Sequence, residues 1–216
     1  RLMLLGTAGT GKSDTIKACV QSTKALLGSD AVLQCAHTGV ASFNMGLGAE
    51  TCHSVFSLNS DLTDALVDRL KSVKLVIIDE VSMIGSEQLY KISARLEEVA
   101  RVLWRRRHKG LRAGDDGRFP GEPANFGGFG GVGVVIVGDF GQVPPIGDAS
   151  LISPAKGQSQ EAASGQRLFK SFREVIRLRH IYRQQGVCKF KDSTLRLRDG
   201  AMTLADHNLW AEHDLG

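Results

Sequence analysis

Gly6, Thr7, Ala8, Gly9, Thr10, Gly11, Lys12 and Ser13 spell GxxxxGKS, directly after the apolar run Leu2, Met3, Leu4, Leu5. That order makes a phosphate cradle. The glycines let backbone N–H groups curl around the β- and γ-phosphates of a nucleoside triphosphate, and the helix that follows turns its positive end toward them. Lys12 would reach the β/γ oxygens, and the Ser13 hydroxyl would ligate Mg²⁺. A second apolar run, Leu75 to Ile78, ends in two acids, Asp79 and Glu80. Asp79 can hold Mg²⁺ through water, while Glu80 can orient and deprotonate an attacking water. The two segments together point to triphosphate hydrolysis rather than binding alone.

A third apolar run closes on Gly138, Asp139, Phe140, Gly141, Gln142, Val143, Pro144, Pro145. Prolines cannot continue a central strand, so the chain must leave there and deliver Asp139 and Gln142 to the same sheet edge. A Gln amide donates to a γ-phosphate oxygen and accepts from water, which suits a sensor of phosphate state; the plainer alternative is a tight turn capped by Asp139. The run Ala31 to Ala36 leads into His37, Thr38, Gly39 and on to Asn44, with Thr51, Cys52, His53, Ser54, Val55, Phe56 beyond. Thr38 reads as a helix N-cap. The same geometry offers hydroxyl and N–H donors to a nucleic-acid phosphate, to which His53 and Phe56 would add a contact and a stacking face.

These residues need a frame that brings strand ends together. Strands are expected at 2–5, 31–36, 74–79, 132–138 and 174–182, with helices at 12–27, 38–46, 61–71, 86–104, 166–172 and 187–198. Such alternation predicts an α/β fold, a parallel sheet with helices on both faces. Val76 to Ile78 and Val134 to Val137 are apolar throughout, as central parallel strands are. Only residues 105–131 break the rhythm: a basic run, Arg105 to Lys109, then a Gly/Pro-rich stretch that reads as a loop insertion. The basic run fits either a nucleic-acid contact or a solvated helix end.

With 216 residues, 42% hydrophobic and 23% charged, the chain has the composition of a soluble globular protein. Its formal charge of +4 lies wholly after residue 150, where 11 Lys and Arg face 7 Asp and Glu; residues 1–150 hold 16 of each. A polyanionic partner would suit that surplus. Cys19, Cys35, Cys52 and Cys188 are too widely spaced for a zinc ribbon or a CxxC pair and read as packed thiols. No apolar stretch reaches the length of a membrane span, so no membrane partner is expected. Because Arg1 already lies inside a strand, the sequence reads as a piece of something longer.

In order along the chain, these motifs resemble the first RecA-like domain of a superfamily 1 helicase, and specifically the PIF (petite integration frequency) family of ATP-dependent DNA helicases. GTAGTGKS at 6–13 resembles helicase motif I, and AHTGVASFN at 36–44 is similar to motif Ia, with His37 where the family usually has Pro. TCHSVF at 51–56 resembles the TxHSxF that follows, and VIIDEVSMI at 76–84 resembles motif II in its DEVSM form. FGG at 126–128, leading into VGDFGQVPPI at 137–146, is similar to motif III; Arg183 and Gln184 resemble the RQ of motif IV.

The resemblance implies a P-loop NTPase with a RecA-like sheet that uses ATP with Mg²⁺ to move 5′ to 3′ along single-stranded DNA, in DNA repair, recombination and telomere maintenance. It assigns Lys12 and Ser13 to phosphate and metal, Asp79 and Glu80 to metal and water, Gln142 to γ-phosphate sensing and Arg183 to charge stabilisation as an arginine finger. Thr38, Asn44 and His53 would lie toward DNA. Residues 1–185 would form the motor domain and 186–216 the start of a following region, with a second RecA-like domain outside this chain. An intracellular protein is implied: nuclear or mitochondrial in a eukaryote, cytoplasmic otherwise. An ATPase of the RecD or relaxase type, or a non-catalytic nucleotide- or DNA-binding fragment, are the alternatives; the DEVSM and FGG segments favour the PIF family.

Overall fold

The computed structural model describes residues 1–46, 48–115, 117–153, 159–182 and 189–211. Five of its strands form from the apolar runs: β1 (Leu2–Gly6), β2 (Val32–Ala36), β4 (Leu75–Asp79), β5 (Gly133–Gly138) and β6 (Glu174–Leu178). A two-residue β3 (Glu50–Thr51) completes a six-stranded sheet in the order β3-β2-β4-β5-β1-β6. Every pairing is parallel, so all six strands point their C-terminal ends to one edge.

Burial on both faces explains why the central strands are apolar throughout. Leu4, Ile77 and Val137 pack on one face with Ile16 and Val20 of α1 (Lys12–Leu27) and Met45 of α2 (Gly39–Met45). Their neighbours Val76, Ile78 and Ile136 face the opposite layer, built from α3 (Cys52–Phe56), α4 (Asp64–Leu70), α5 (Ser86–Arg107) and α6 (Gln160–Phe169). Val76, Ile78, Leu89, Ile92 and Ile136 are completely buried there. Each such side chain contributes about 1.5–3 kcal/mol through removal from water. Two further helices, α7 (Lys189–Arg198) and α8 (Leu204–Ala211), follow β6.

Several boundaries differ from expectation, each for a local reason. β6 stops at Leu178 rather than continuing to Tyr182, because the chain turns off the sheet and the Tyr182 N–H donates to Gly9 O at 2.8 Å. α6 spans Gln160–Phe169 rather than 166–172; Ser159 caps it by accepting the Ala162 N–H, and Gly165 lies mid-helix. A Cβ at Gly165 would overlap the Ser86 carbonyl, so this glycine lets α6 close on α5. α5 runs three residues past 104, to Arg107, which shortens the expected loop. The basic run becomes a helix end tied up in ion pairs: Arg105 and Arg101 hold Glu122, and Arg106 holds Asp64 and Asp68. The tandem FGGFGG seats its second copy: Phe129 is completely buried and donates its N–H to Ser93 Oγ at 2.9 Å. Of the described cysteines, Cys35 and Cys52 are buried, but Cys19 is exposed rather than packed.

Candidate nucleotide site and nucleic-acid face

The phosphate loop between β1 and α1 is shaped by its own side chains. Gly9 and Gly11 take positive φ, 79° and 85°, which favours glycine. Thr10 turns inward and donates its hydroxyl to Thr7 O at 2.8 Å, so its side chain braces the loop. Gly6 is required beneath it, since a Cβ there would overlap the Thr10 hydroxyl. Lys12 Nζ arches back over the loop and donates to Gly6 O at 2.7 Å and Thr7 O at 3.1 Å. The ammonium is thereby held above the cradle that Gly6, Thr7, Ala8, Gly9, Thr10, Gly11 and Ser13 form.

At the end of β4, two strands from β1, Asp79 Oδ1 accepts the Glu80 N–H at 2.8 Å. Glu80 itself is left-handed, φ 55° and ψ 47°, a conformation uncommon outside glycine. The turn nests against Gly138, where a Cβ would press the Val81 backbone. Burial pushes the Asp79 carboxyl above its ordinary range, opposed by the Glu80 N–H bond and the Lys12 charge. Glu80 is raised too, by burial and then by Asp79, with Lys12 again opposing. Two partly desolvated acids facing a cation make an electrostatic site prepared for positive charge.

One cavity of about 860 Å³ gathers these parts, lined by Ala8 to Thr15, Asp79, Glu80, Gln142, Leu178 and Tyr182. Lys12, Ser13, Asp79, Glu80 and Gln142, drawn from three strand ends far apart in sequence, therefore share one space. Arg183 and Gln184 lie outside the described residues. Tyr182, which sequence reasoning passed over, lines the cavity immediately before Arg183, and its position in HIYRQ was the available signal.

Thr38 and His53 follow the C-terminal ends of β2 and β3, three and four strands from β1, and Asn44 lies near the end of α2. Thr38 Oγ1 accepts the Ala41 N–H at 3.1 Å, the N-cap of α2. Asn44 and His53 are exposed, on α2 and α3. Phe56 does not supply the expected stacking face: it is completely buried in the core, since α3 turns its Val55 and Phe56 inward. Gln88 of α5, unmarked by any motif, joins the segments, its Oε1 lying 2.9 Å from His37 Nδ1 and its Nε2 3.4 Å from His53 Nδ1. Asp148 fixes the start of that helix by accepting the N–H groups of Glu87 and Gln88.

The family model described as PIF1-like helicase matches residues 1–208. The ATP-dependent DNA helicase PIF1 of Saccharomyces cerevisiae (strain YJM789) is 28% identical over 208 residues, 90% of this chain and 21% of that protein. ATP-dependent DNA helicase RRM3 of Saccharomyces cerevisiae is 31% identical over 153 residues, 65% of this chain and 18% of that protein. The chain thus spans about a fifth of the length of these curated relatives. Among solved structures, Pif1 helicase from Candida albicans superposes with TM-score 0.64 at 26% identity, covering 98% of this chain and 43% of that one. Bacteroides Pif1 bound to ssDNA shares the fold, with TM-score 0.66 at 22% identity over 98% of this chain and 46% of its own. With almost the whole sequence matched by one family model, the chain belongs to the PIF1-like helicase family.

Proposed function

We propose that this chain is the ATP-hydrolysing first RecA-like domain of a DNA helicase, which couples hydrolysis to 5′-to-3′ movement on single-stranded DNA and to duplex unwinding. The observation that carries the reading is the shared cavity of about 860 Å³, in which phosphate loop, paired acids and Gln142 face one another. In this proposal residues 1–185 are the motor domain and 186–216 begin the following region. A second RecA-like domain completes the cleft, consistent with the fifth of the relatives' length that this chain spans. Closure of such a cleft is what converts hydrolysis into stepping.

Lys12 and the loop N–H groups would hold the triphosphate, and Glu80 would take the proton of the attacking water as its left-handed backbone aims it inward. Gln142 would contact the γ-phosphate, and Arg183 would neutralise charge that builds in the transition state. The donor set fits a hard cation that keeps several waters and takes one or two carboxylates: the Ser13 hydroxyl, and Asp79, whose charge burial disfavours until a cation offsets it. Mg²⁺ bound there would neutralise the phosphate charge. Thr38, Asn44 and His53 would meet the single strand, as an expression of the ssDNA complex formed by the Bacteroides Pif1.

The test is ATP hydrolysis with and without single-stranded oligonucleotide, for this chain and for a polypeptide extended by a second RecA-like domain, each compared with Glu80→Gln. DNA-stimulated hydrolysis that Glu80→Gln removes supports the reading. Equal, DNA-independent rates in both proteins overturn it. The chain alone is expected to bind ATP·Mg²⁺ weakly and not to separate strands; robust strand displacement by these 216 residues would contradict the two-wall arrangement.

A further inference from the structure

Asp139 is buried at the end of β5, its side chain 6% exposed, and its charge is matched from a distant part of the chain. Arg198, the last residue of α7, donates Nη2–H to Asp139 Oδ1 at 2.8 Å. The same oxygen accepts the Gly141 N–H at 3.0 Å, while the Asp139 carbonyl accepts the Gln142 N–H at 3.0 Å. Both bonds that shape the turn before Gln142 therefore run through Asp139. Arg198 also packs against that turn: a Cβ at Gly141 would overlap its Nε and press its Cγ and Cδ, so Gly141 is the residue that admits it.

α7 is itself braced. Arg196 Nε donates to Asp206 Oδ2 at 2.8 Å, the Trp210 indole N–H donates to Ser193 Oγ at 3.0 Å, and Phe190 stacks on Trp210 with ring centres 5.0 Å apart. These contacts make α7 and α8 one unit. A cavity of about 490 Å³ separates α7 from the phosphate loop, walled by Thr7 and Ala8 on one side and Thr194 and Leu195 on the other, with Gln142 at its margin. Across that gap, the Arg198–Asp139 ion pair joins α7 to the C-terminal edge of the sheet.

We infer that Arg198 is a positioning residue for γ-phosphate recognition: through Asp139 it holds the Gly141–Gln142 turn in the shape that presents Gln142 to the nucleotide. A guanidinium suits the task better than an ammonium, because its planar fork both donates to the carboxylate and lies against the glycine. Without it, a desolvated carboxylate loses its counter-charge, and the turn that shares Oδ1 is free to re-form. The inference rests on the proposed role of Gln142 as the γ-phosphate contact.

The test is the preference for ATP·Mg²⁺ over ADP·Mg²⁺, measured by competition against a fluorescent ADP in a Glu80→Gln background that prevents turnover. Arg198→Met is expected to lower that preference about fivefold or more, in the range of typical coupling between sites, with ADP affinity held within about twofold. Asp139→Asn should act alike, and the double variant should be no worse than either single one, as for two members of one unit. Arg198→Lys, which keeps the charge and loses the fork, should fall between; it carries the comparison if Arg198→Met lowers the thermal midpoint. An unchanged preference in both Arg198 variants, with a lowered one in Gln142→Ala, overturns this inference alone. If Gln142→Ala also leaves the preference unchanged, the sensing role fails and the inference falls with it.

Discussion

Asp79 accepts the backbone N–H of Glu80 at 2.8 Å, and that bond gives the two adjacent acids different surroundings. It ties one carboxylate oxygen of Asp79 to the turn, and the left-handed backbone at Glu80, φ 55°, sends the second carboxylate on a separate course. Strain of this kind costs about 1–3 kcal/mol and persists where the surroundings determine it. Here the Gly138 contact and the Asp79 bond do so.

The first prediction concerns pH. Glu80 is raised above the ordinary carboxylate range, by burial first and by Asp79 second. A general base works only when ionised, so hydrolysis should fall as pH drops through this raised value, earlier on the acid side than an unperturbed Glu would allow. Glu80→Gln should cost about a hundredfold or more in turnover while retaining ATP binding, within the usual contribution of a general base. A pH–rate profile of both proteins checks this. An acid limb that persists unchanged in Glu80→Gln would assign it to another group.

Stability follows the same acids with the opposite sign. The folded-state pKa of Asp79 is above its unfolded value, so in the window between them the folded chain binds more protons and its stability falls as pH rises. Asp79→Asn should therefore raise the thermal midpoint of the nucleotide-free chain at neutral pH, by about 2–4 °C for each kcal/mol released. The gain should shrink as pH is lowered through the raised value. Mg²⁺-dependent nucleotide affinity should fall in the same variant. A midpoint that drops at neutral pH would mean that the Asp79–Glu80 bond outweighs the burial of charge.

The sheet, and the meeting of Lys12, Ser13, Asp79, Glu80 and Gln142 around one cavity, were legible in the sequence because their signals are local and chemical. Leu2 to Ser13 carry strand, glycine loop and helix in one stretch, and Val76 to Glu80 carry a buried strand that ends in acids. Segments held by tertiary contact were not. Gly165 falls outside the helix expected at 166–172 until it meets the Ser86 carbonyl, and Phe56 reads as an available ring until α3 is seen to pack inward. Arg106 reads as free charge until Asp64 and Asp68 come beside it from α4. One missed element did carry a signal. Thr203 and Asp206 form a capping pair at the start of α8, Asp206 Oδ2 accepting the Thr203 N–H and Thr203 Oγ1 accepting the Asp206 N–H, and TxxD stands in the sequence.

Helix contact at Gly165 gives the third prediction. Gly165→Ala places a methyl group into the Ser86 backbone, and rigid backbone cannot move aside as a flexible side chain would. Overpacking of this kind costs about 1–3 kcal/mol, which denaturant titration should resolve as a lower midpoint. Gly39→Ala is the contrast, for that position opens α2 with nothing within 4 Å. It should be neutral or raise stability by about 0.4–1 kcal/mol through the unfolded state. Equal losses in the two variants would show that the α5–α6 contact relaxes freely.

The last prediction separates two candidate nucleic-acid faces. Gln88 holds both rings through their Nδ1 atoms, its Oε1 lying 2.9 Å from that of His37 and its Nε2 3.4 Å from that of His53, so a proton on His53 Nε2 would point away from Gln88. A donor fixed in that way suits a phosphate oxygen, so Gln88 would act on the strand through His53. His53→Ala should weaken single-stranded oligonucleotide binding by about two- to tenfold, the worth of one hydrogen bond. Gln88→Ala should approach that loss, and the double variant should add little to it. Arg106 is already committed to Asp64 and Asp68, so Arg106→Ala should leave affinity within about twofold and the salt slope unchanged, since a lost phosphate contact would lower that slope by about 0.7. Fluorescence anisotropy across a salt series compares all four variants with the unaltered chain. A larger loss and a shallower slope in Arg106→Ala than in His53→Ala would move the strand from the α2–α3 edge to the end of α5.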